Sequence, residues 1–184
     1  MAKKLKDINE APAPRAADVD AAQKAGAELV GWHPDQLRAF LAGQITLADL
    51  EGIDKESQVR MAKVGHQYLT EGKLDLAKRV FEGLTMLDPF DAYFHAALGS
   101  VAHQQGELEE AEARYSRALE INPFFAVALA HRGEVRVLLG KLVEAAQDLT
   151  RAIEEDPEGK EPATRRARAT ALLVRKELEA AQQS

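Results

Sequence analysis

The sequence has no cysteine, which excludes disulfide bonds, thiolate metal sites, redox dithiols and a cysteine nucleophile. Aromatic residues make up only 5% of the chain, so a core drawn from its 46% hydrophobic residues must be mainly aliphatic and rich in alanine. No run of 18 apolar residues occurs, and the sequence therefore predicts no transmembrane helix. The basic N-terminus lacks the apolar segment of a secretory signal peptide, so we expect a cytoplasmic protein.

Positively charged side chains are fewer than negatively charged ones. The chain has 24 Lys and Arg against 30 Asp and Glu, a net charge of −6, which argues against a nucleic-acid partner or stable association with an anionic membrane. Only residues 158–184 reverse this balance, through Arg165, Arg166, Arg168, Arg175 and Lys176. We interpret this cluster as the solvated face of a terminal helix, and a nucleic-acid contact is the alternative.

Motifs that carry catalysis or phosphate binding are missing as well. The sequence contains no GxGxxG, no GxxxxGK[ST] and no HExxH, and none of its four serines lies in a nucleophile elbow. His95 and His103 are eight residues apart and can share one helix face, whereas a metal site needs three or four converging ligands. The sequence therefore predicts no enzyme, no catalytic residue, no metal site and no cofactor.

What the chain does contain is a repeat of 34 residues, the period of the tetratricopeptide repeat. Four sets of residues recur in phase with this period: Pro89, Pro123 and Pro157; Gly65, Gly99 and Gly133; Gly72, Gly106 and Gly140; Ala77, Ala111 and Ala145. Such repeats are helix pairs that stack into a solenoid. The sequence thus predicts an all-α fold with three repeats, over residues 58–91, 92–125 and 126–159.

Each recurrent position has a physical role in a helix pair. The first glycine set lets the first helix approach the second, and the second set suits the turn between them, because glycine adopts a positive φ at little cost. The alanines mark the tightest packing, and the prolines end the second helix. The third repeat deviates most, since Leu149 replaces an aromatic residue and Arg132 and Arg136 replace apolar ones.

The segments outside the repeats differ in composition. Residues 1–30 are rich in alanine, proline and charge, and we expect them to be disordered. Residues 31–57 predict two short helices, one over 34–42 and one capped by Thr46. Residues 160–184 predict a C-terminal helix, over 163–182, that caps the open end of the third repeat.

A stack of helix pairs has a concave face lined by the first helix of each repeat. The predicted lining mixes small, apolar and hydrogen-bonding side chains, which suits an extended peptide. The predicted peptide-binding groove consists of Val59, Ala62, His66, Leu69, Tyr93, Ala96, Ser100, His103, Val127, Ala130 and Glu134.

Repeats that clamp a C-terminal carboxylate present Lys, Asn and Arg along this face. The corresponding positions here carry no such residue, and Glu134 is expected to repel an anion. These positions are Ala62, His66, Ala96, Ser100, Ala130 and Glu134. The sequence therefore argues against a carboxylate clamp.

Two stretches resemble the class II chaperones of bacterial type III secretion, which serve translocator proteins. LRAFLAGQITLADLEGIDKES (residues 37–57) is similar to the N-terminal region of that family, with its short helix, glycine and T-L-x-x-L pattern. GKLDLAKRVFEGLTMLDPFDAYFHAALGSVAHQQGELEEA (residues 72–111) is similar to the central block of the family. The resemblance covers roughly residues 35–180.

This resemblance implies a cytoplasmic chaperone that holds an extended segment of a hydrophobic translocator in its concave groove before export. It also implies a homodimer formed through the N-terminal helices, with candidate interface residues Leu37, Phe40, Leu41, Leu47 and Leu50. The alternative is a general tetratricopeptide-repeat scaffold in a bacterial envelope or signalling complex. A chaperone keeps its client soluble, whereas a scaffold joins folded proteins.

Overall fold

The computed structural model of the chain describes residues 32–182. The segment 1–30, which we expected to be disordered, lies outside the described residues. The described chain is helical, as predicted, and it divides between Gly52 and Ile53 into two compact units. The helices are α1 (Pro34–Leu41), α2 (Leu47–Leu50), α3 (Lys55–Thr70), α4 (Leu74–Leu87), α5 (Ala92–Gln105), α6 (Leu108–Ile121), α7 (Ala126–Leu138), α8 (Leu142–Glu155) and α9 (Pro162–Gln182). None of them is long and apolar enough to cross a membrane.

The first unit contains α1 and α2, and side chains cap both helices. His33 accepts a hydrogen bond from the Asp35 amide at the start of α1. Thr46 accepts one from the Asp49 amide at the start of α2, while the Asp49 carboxylate accepts from the Thr46 amide at 2.8 Å. The predicted Thr46 cap is confirmed, and these reciprocal bonds satisfy amide donors that a helix start leaves unpaired.

The second unit consists of three helix pairs, α3–α4, α5–α6 and α7–α8, followed by α9. Each helix packs against the next one along the chain. The turns inside the pairs contain Gly72, Gly106 and Gly140, whose φ values of 71°, 80° and 73° are those that favour glycine. The first helix begins at Lys55, three residues before the predicted repeat, because Asp54 caps it by accepting from the Ser57 amide at 2.7 Å.

Close helix contact within each pair depends on the other glycine set. A Cβ atom built on Gly99 would lie 2.8 Å from the ring of Tyr115, and one built on Gly133 would lie 2.8 Å from the side chain of Leu149. Both large side chains are fully buried. Each glycine thus gives room to the large residue of its own repeat, and Leu149 fills this place as well as an aromatic ring does.

The two arginines that deviate from the repeat pattern belong to a buried ion-pair network between α6, α7 and α8. Arg132 donates two hydrogen bonds of 2.7 Å to the carboxylate of Asp148, and Arg136 donates one of 2.8 Å to the same carboxylate. Arg136 also donates to Glu112 at 2.9 Å, and Lys141 pairs with Glu112. Polar pairing thus replaces apolar packing in the third repeat.

An aspartate in the turn that precedes α9 is hydrogen-bonded to the start of that helix. The carboxylate of Asp156 accepts hydrogen bonds from the amides of Lys160 and Glu161, both at 2.9 Å, and from the hydroxyl of Thr164. The hydrogen bond from Thr164, followed by those from the two amides, lowers the pKa of Asp156 to about 2. The ionised carboxylate therefore holds the turn between α8 and α9.

We predict that Asp156→Asn lowers the melting temperature by several degrees near neutral pH. A lowered carboxyl pKa stabilises the fold fully above the unfolded value of 3.8, and this stabilisation is lost as the pH falls towards 2. The difference in melting temperature between wild type and variant should therefore be constant above about pH 5 and shrink between about pH 4 and pH 2. Thermal unfolding followed by circular dichroism measures it, and a gap that persists unchanged at pH 2 would contradict this assignment.

The C-terminal arginines are engaged within the chain. Arg165 donates to the carbonyl oxygens of Gly159 and Lys160, and Arg168 to those of Asp156 and Pro157. Two further pairs join Arg166 to Glu134 and Arg175 to Glu179. Two residues of the basic cluster, Arg165 and Arg168, thus hold the turn between α8 and α9.

Candidate functional site: the face of the first helices

The first helices of the three repeats form one continuous surface. Helix α5 contacts both α3 and α7, and α9 contacts α7 in turn. Side chains from these four helices can therefore act on the same ligand. The surface has two parts of different chemistry, an apolar cavity between α3 and α5 and a polar group of side chains where α5, α7 and α9 meet.

The apolar cavity has a volume of about 360 Å³. It brings together three predicted groove residues, Val59 and Ala62 from α3 and Tyr93 from α5, and adds Phe94, which follows Tyr93 in the sequence. Lys55, Lys63 and Asp91 complete the lining. The cavity thus has apolar side chains and a charged rim, the combination typical of small binding pockets.

Aromatic contacts hold the wall of this cavity in place. Tyr93 meets Phe81 and Phe94 edge to face, with ring centroids 6.4 and 6.2 Å apart. Phe81 and Phe94 are buried, whereas Tyr93 is 42% exposed. Burial and the nearby Asp91 raise the pKa of the Tyr93 hydroxyl. Tyr93 therefore presents a fixed, neutral ring to a ligand.

Lys55 fixes the rim. Its ammonium group lies 5.2 Å from the centre of the Phe94 ring and pairs with Asp88 at 3.2 Å and with Asp91. Burial disfavours the charged lysine, but the two carboxylates outweigh it and raise its pKa. The turn between the first two repeats is thereby tied to the start of α3.

The polar group is centred on Glu134 of α7. Its carboxylate lies 3.1 Å from Nδ1 of His131 and accepts from Nε of Arg166 at 3.2 Å. The His131 ring stacks on Tyr115 at a centroid distance of 5.7 Å, and the Tyr115 hydroxyl lies 3.0 Å from the Ser100 hydroxyl. Four helices, α5, α6, α7 and α9, thus contribute to one chain of polar contacts.

Burial and charge set the ionisation of this group. Burial raises the pKa of Glu134, but His131 and Arg166 outweigh it, so the pKa is lowered and the carboxylate is ionised. Burial lowers the pKa of His103, and the nearby charge of Glu134 only partly opposes this. Glu134 is paired with a cation, so its expected repulsion of an anion is offset by Arg166.

The remaining predicted groove residues lie partly in the core and partly on the surface. Leu69, Ala96 and Ala130 are buried in the hydrophobic core, where small or aliphatic side chains let the helices pack closely. Val127 is half-buried on α7, and His66 is exposed on α3 but is not one of the residues that line the cavity.

Two partners of Glu134 were missed by sequence reasoning. His131 directly follows the predicted residue Ala130, so a broader view of that helix face would have included it. Arg166 lies on α9, which was interpreted only as a cap. The repeat period gives a signal for it, because α9 follows α8 in the position that α5 and α7 occupy after α4 and α6.

The predicted dimer residues lie in the first unit. Leu37 and Leu50 are buried, and Phe40 and Leu47 are half-buried. Leu41 is 60% exposed. Of the five predicted side chains, Leu41 therefore offers the most apolar surface to a second chain.

Titratable side chains do not gather into a metal site in the part of the chain that the structure describes. Between residues 32 and 182, no group of three or more His, Asp or Glu side chains is placed to hold a metal ion. The pair of His131 and Glu134 is completed by an arginine rather than by a third ligand.

Known proteins with the same architecture are found by sequence and by structure. The sequence model of the tetratricopeptide repeat family matches residues 65–124 and 108–160. No curated protein matches the chain by sequence. Among solved structures, a type III secretion complex from Aeromonas hydrophila is similar with a TM-score of 0.69 and 24% identity, covering 78% of this chain and 97% of the other.

Two further structures contain bound peptides. One is the Yersinia enterocolitica type III secretion chaperone SycD in complex with a peptide of the translocator YopD (TM-score 0.61, 25% identity, covering 68% of this chain and 97% of the other). The other is the first tetratricopeptide repeat domain of Spaghetti (RPAP3) with an HSP90 peptide (TM-score 0.61, 23% identity, covering 69% and 97%). The resemblance to class II translocator chaperones is confirmed, and the third likeness shows the same fold with another peptide.

Proposed function

The chain belongs to the tetratricopeptide repeat family, and from this premise we propose that it is a cytoplasmic chaperone of a type III secretion system. It binds an extended segment of a hydrophobic translocator protein along the face formed by α3, α5 and α7. The bound segment is kept soluble until export. The likeness to SycD, whose structure contains a translocator peptide, supports this choice within the family.

The cavity between α3 and α5 is the observation that carries the proposal. Its lining is apolar: the side chains of Val59 and Tyr93 are exposed to a ligand, whereas those of Ala62 and Phe94 are buried. Removing an apolar client side chain from water into this space contributes about 25 cal/mol for each Å² buried. An apolar side chain of the client is thus the anchor that the cavity selects.

The polar group supplies what an extended backbone needs. A peptide that is not part of a sheet or helix has free amide and carbonyl groups, and these need partners when they leave water. His103 and the pair of Glu134 and Arg166 offer both donors and acceptors on the same face. The client backbone therefore runs from the cavity along α5 towards α7.

We predict that Tyr93→Ala weakens client binding by roughly five- to thirty-fold. The substitution removes a fixed aromatic wall of the cavity, and an aromatic anchor of this kind accounts for about 1–2 kcal/mol of binding. Phe124→Ala is the matched control, because Phe124 is an exposed aromatic residue outside the cavity. The measurement is isothermal titration calorimetry with the client's binding segment, after circular dichroism has shown both variants to be folded.

The client is obtained by capture on the tagged wild-type protein from its native host and identified by mass spectrometry. Support requires one protein with long apolar segments that Tyr93→Ala captures less than Phe124→Ala does, and whose soluble yield rises on co-expression with this chain. Equal capture by both variants would show that the cavity is not the site. Capture of several folded, soluble proteins with no change in their solubility would favour the general scaffold instead.

A homodimer through the N-terminal helices remains part of this proposal. In the first unit Leu41 has the largest exposed fraction of the predicted interface residues. Light scattering of Leu41→Glu against wild type tests it, since a dimer built on α1 should dissociate.

A further inference from the structure

A second cavity lies beside the apolar cavity between α3 and α5, at the turns that lead into α5 and α7. This turn cleft is an open space of about 400 Å³, within the roughly 300–1,000 Å³ of binding pockets. Its lining includes Lys55, Ala92 and Phe125, so the cleft lies where α3, α5 and α7 begin. It is therefore at one end of the face that these three helices form.

The turn cleft and the apolar cavity share a boundary of three residues. Lys55, Asp91 and Tyr93 line both spaces. The Tyr93 ring is held edge to face against Phe81 and Phe94, and Lys55 pairs with Asp91, so this boundary is fixed in the folded protein. A peptide chain that passes over the boundary leaves one cavity and enters the other.

The charged groups of the turn cleft are already paired within the chain. The ammonium group of Lys55 lies 3.2 Å from the carboxylate of Asp88 and also pairs with that of Asp91. The two carboxylates accept backbone hydrogen bonds as well, from the amides of Phe90 and Tyr93. A charged side chain that entered the cleft would have to compete with these bonds. The cleft therefore does not select a charge.

Apolar surface is what the turn cleft leaves available to a ligand. Phe90 is 57% exposed, and Ile121 and Phe125 are half-buried. The partly exposed ring of Tyr93 adds to this surface. Covering it is favourable, because apolar area is removed from water. The turn cleft therefore suits an apolar side chain.

A side chain of the turn cleft can also bind a peptide backbone. Asn122 accepts a hydrogen bond from the amide of Phe124 at 3.2 Å through its side-chain oxygen. Its NH₂ group donates to no other group among residues 32–182. This group can donate to a carbonyl oxygen of an extended chain, which needs such a partner when it leaves water.

We propose that the turn cleft is a second client subsite, where the segment that fills the apolar cavity places a second apolar side chain against Phe90, Ile121 and Phe125. The segment crosses the boundary at Tyr93 and continues past the starts of α5 and α7, where Asn122 donates to its backbone. This inference rests on the proposed function, because its occupant is the client of the apolar cavity. It adds a requirement for recognition, namely two apolar anchors on the client, one for each cavity.

Phe90→Ala and Phe124→Ala form a matched pair of variants for this subsite. The two phenylalanines are 34 residues apart, each follows a proline, and they are 57% and 68% exposed. Each amide donates to the side chain two residues before it. Of the two, Phe90 alone lines the turn cleft. Phe90→Ala should therefore weaken client binding roughly three- to tenfold, whereas Phe124→Ala should stay within about twofold of wild type.

The probe is the shortest synthetic peptide from the captured client that binds the wild-type chain. Isothermal titration calorimetry measures its affinity for the full chain, and each apolar residue of the peptide is replaced in turn by alanine. One replacement should weaken binding to wild type but not binding to Phe90→Ala, because the two changes remove the same contact. A different replacement should behave in this way towards Val59→Ala, since Val59 lines the apolar cavity and not the turn cleft.

The outcomes separate this inference from the proposed function. If Tyr93→Ala weakens binding and Phe90→Ala binds as Phe124→Ala does, the turn cleft is not a subsite, while the proposed function stands. If Tyr93→Ala binds the peptide as wild type does, the proposed function fails and this inference fails with it.

A photocrosslinking residue in place of Phe90 gives an independent readout. With p-benzoylphenylalanine at position 90, irradiation should join the peptide to this chain, and the same residue at position 124 should give a several-fold lower yield. Mass spectrometry should locate the crosslink at or beside the peptide residue that is coupled to Phe90. Equal yields at both positions, or a crosslink from position 90 to a second copy of this chain, would overturn the proposal.

Discussion

Asp148→Ala should lower the free energy of unfolding by about 3–5 kcal/mol, the cost of breaking a buried ion pair by removing one partner. The carboxylate of Asp148 is 4% exposed and accepts three hydrogen bonds, two from Arg132 and one from Arg136. Alanine would leave two guanidinium groups, themselves largely buried, without this partner. The cost comes mainly from the stranded cations rather than from the lost attraction.

Chemical denaturation measures this difference. Glu154→Ala on the same helix is the matched control, because Glu154 is exposed, and its free energy of unfolding should stay within about 0.5 kcal/mol of wild type. A loss below 1 kcal/mol for Asp148→Ala would show that water reaches the network. Replacing Arg132, Arg136 and Asp148 together by leucine should recover stability relative to Asp148→Ala, since well-packed apolar residues can replace a buried ionic group.

Gly99→Ala and Gly83→Ala should change stability in opposite directions, although both add one methyl group to a helix. A Cβ at position 99 would lie 2.8 Å from the buried Tyr115 ring, and relieving such overpacking costs about 1–3 kcal/mol. A Cβ at position 83 meets nothing within 4 Å, so only the helix preference of alanine counts, a gain of about 0.5–1 kcal/mol.

The pair of variants separates close packing from helix preference. Denaturation of both under the same conditions should give a difference in the free energy of unfolding of about 1.5–4 kcal/mol between them. Equal stabilisation by both substitutions would mean that Tyr115 can move aside, and the glycine of the repeat would then have no packing role in the second repeat.

The fold was predictable because the repeat ties sequence to geometry at several positions at once. The 34-residue period places the turns at Gly72, Gly106 and Gly140 and the close contacts at Gly65, Gly99 and Gly133, and the structure has both. Capping residues such as Thr46 are equally local signals. Helix and turn depend on neighbours in sequence, so a single chain is enough to predict them.

The candidate site was predictable only in part, because it depends on contacts between distant residues. A helix face drawn from spacing included Val59, Ala62 and Tyr93, which the cavity brings together. It also included Ala130, which the structure places in the core. Spacing along one helix does not indicate how closely the next helix approaches, and that distance decides between surface and core.

The ion pairs between distant residues could not be predicted from the sequence, for the same reason. Arg132 and Arg136 were noted only as deviations, and their partners Asp148 and Glu112 lie 16 and 24 residues away in other helices. The link between Glu134 and Arg166 spans 32 residues. Charges of opposite sign are frequent in this chain, so the sequence offers many pairs and no means of choosing between them.

The edge-to-face contacts among Phe81, Tyr93 and Phe94 also affect the thermodynamics of release. These rings are ordered when the protein folds, so a ligand that enters the cavity does not have to immobilise them. For the proposed client, an extended segment, the entropic cost of binding would then fall on the ligand, which loses its freedom in the groove. Release of such a segment would be favoured by the entropy that it regains and would need no rearrangement of the cavity.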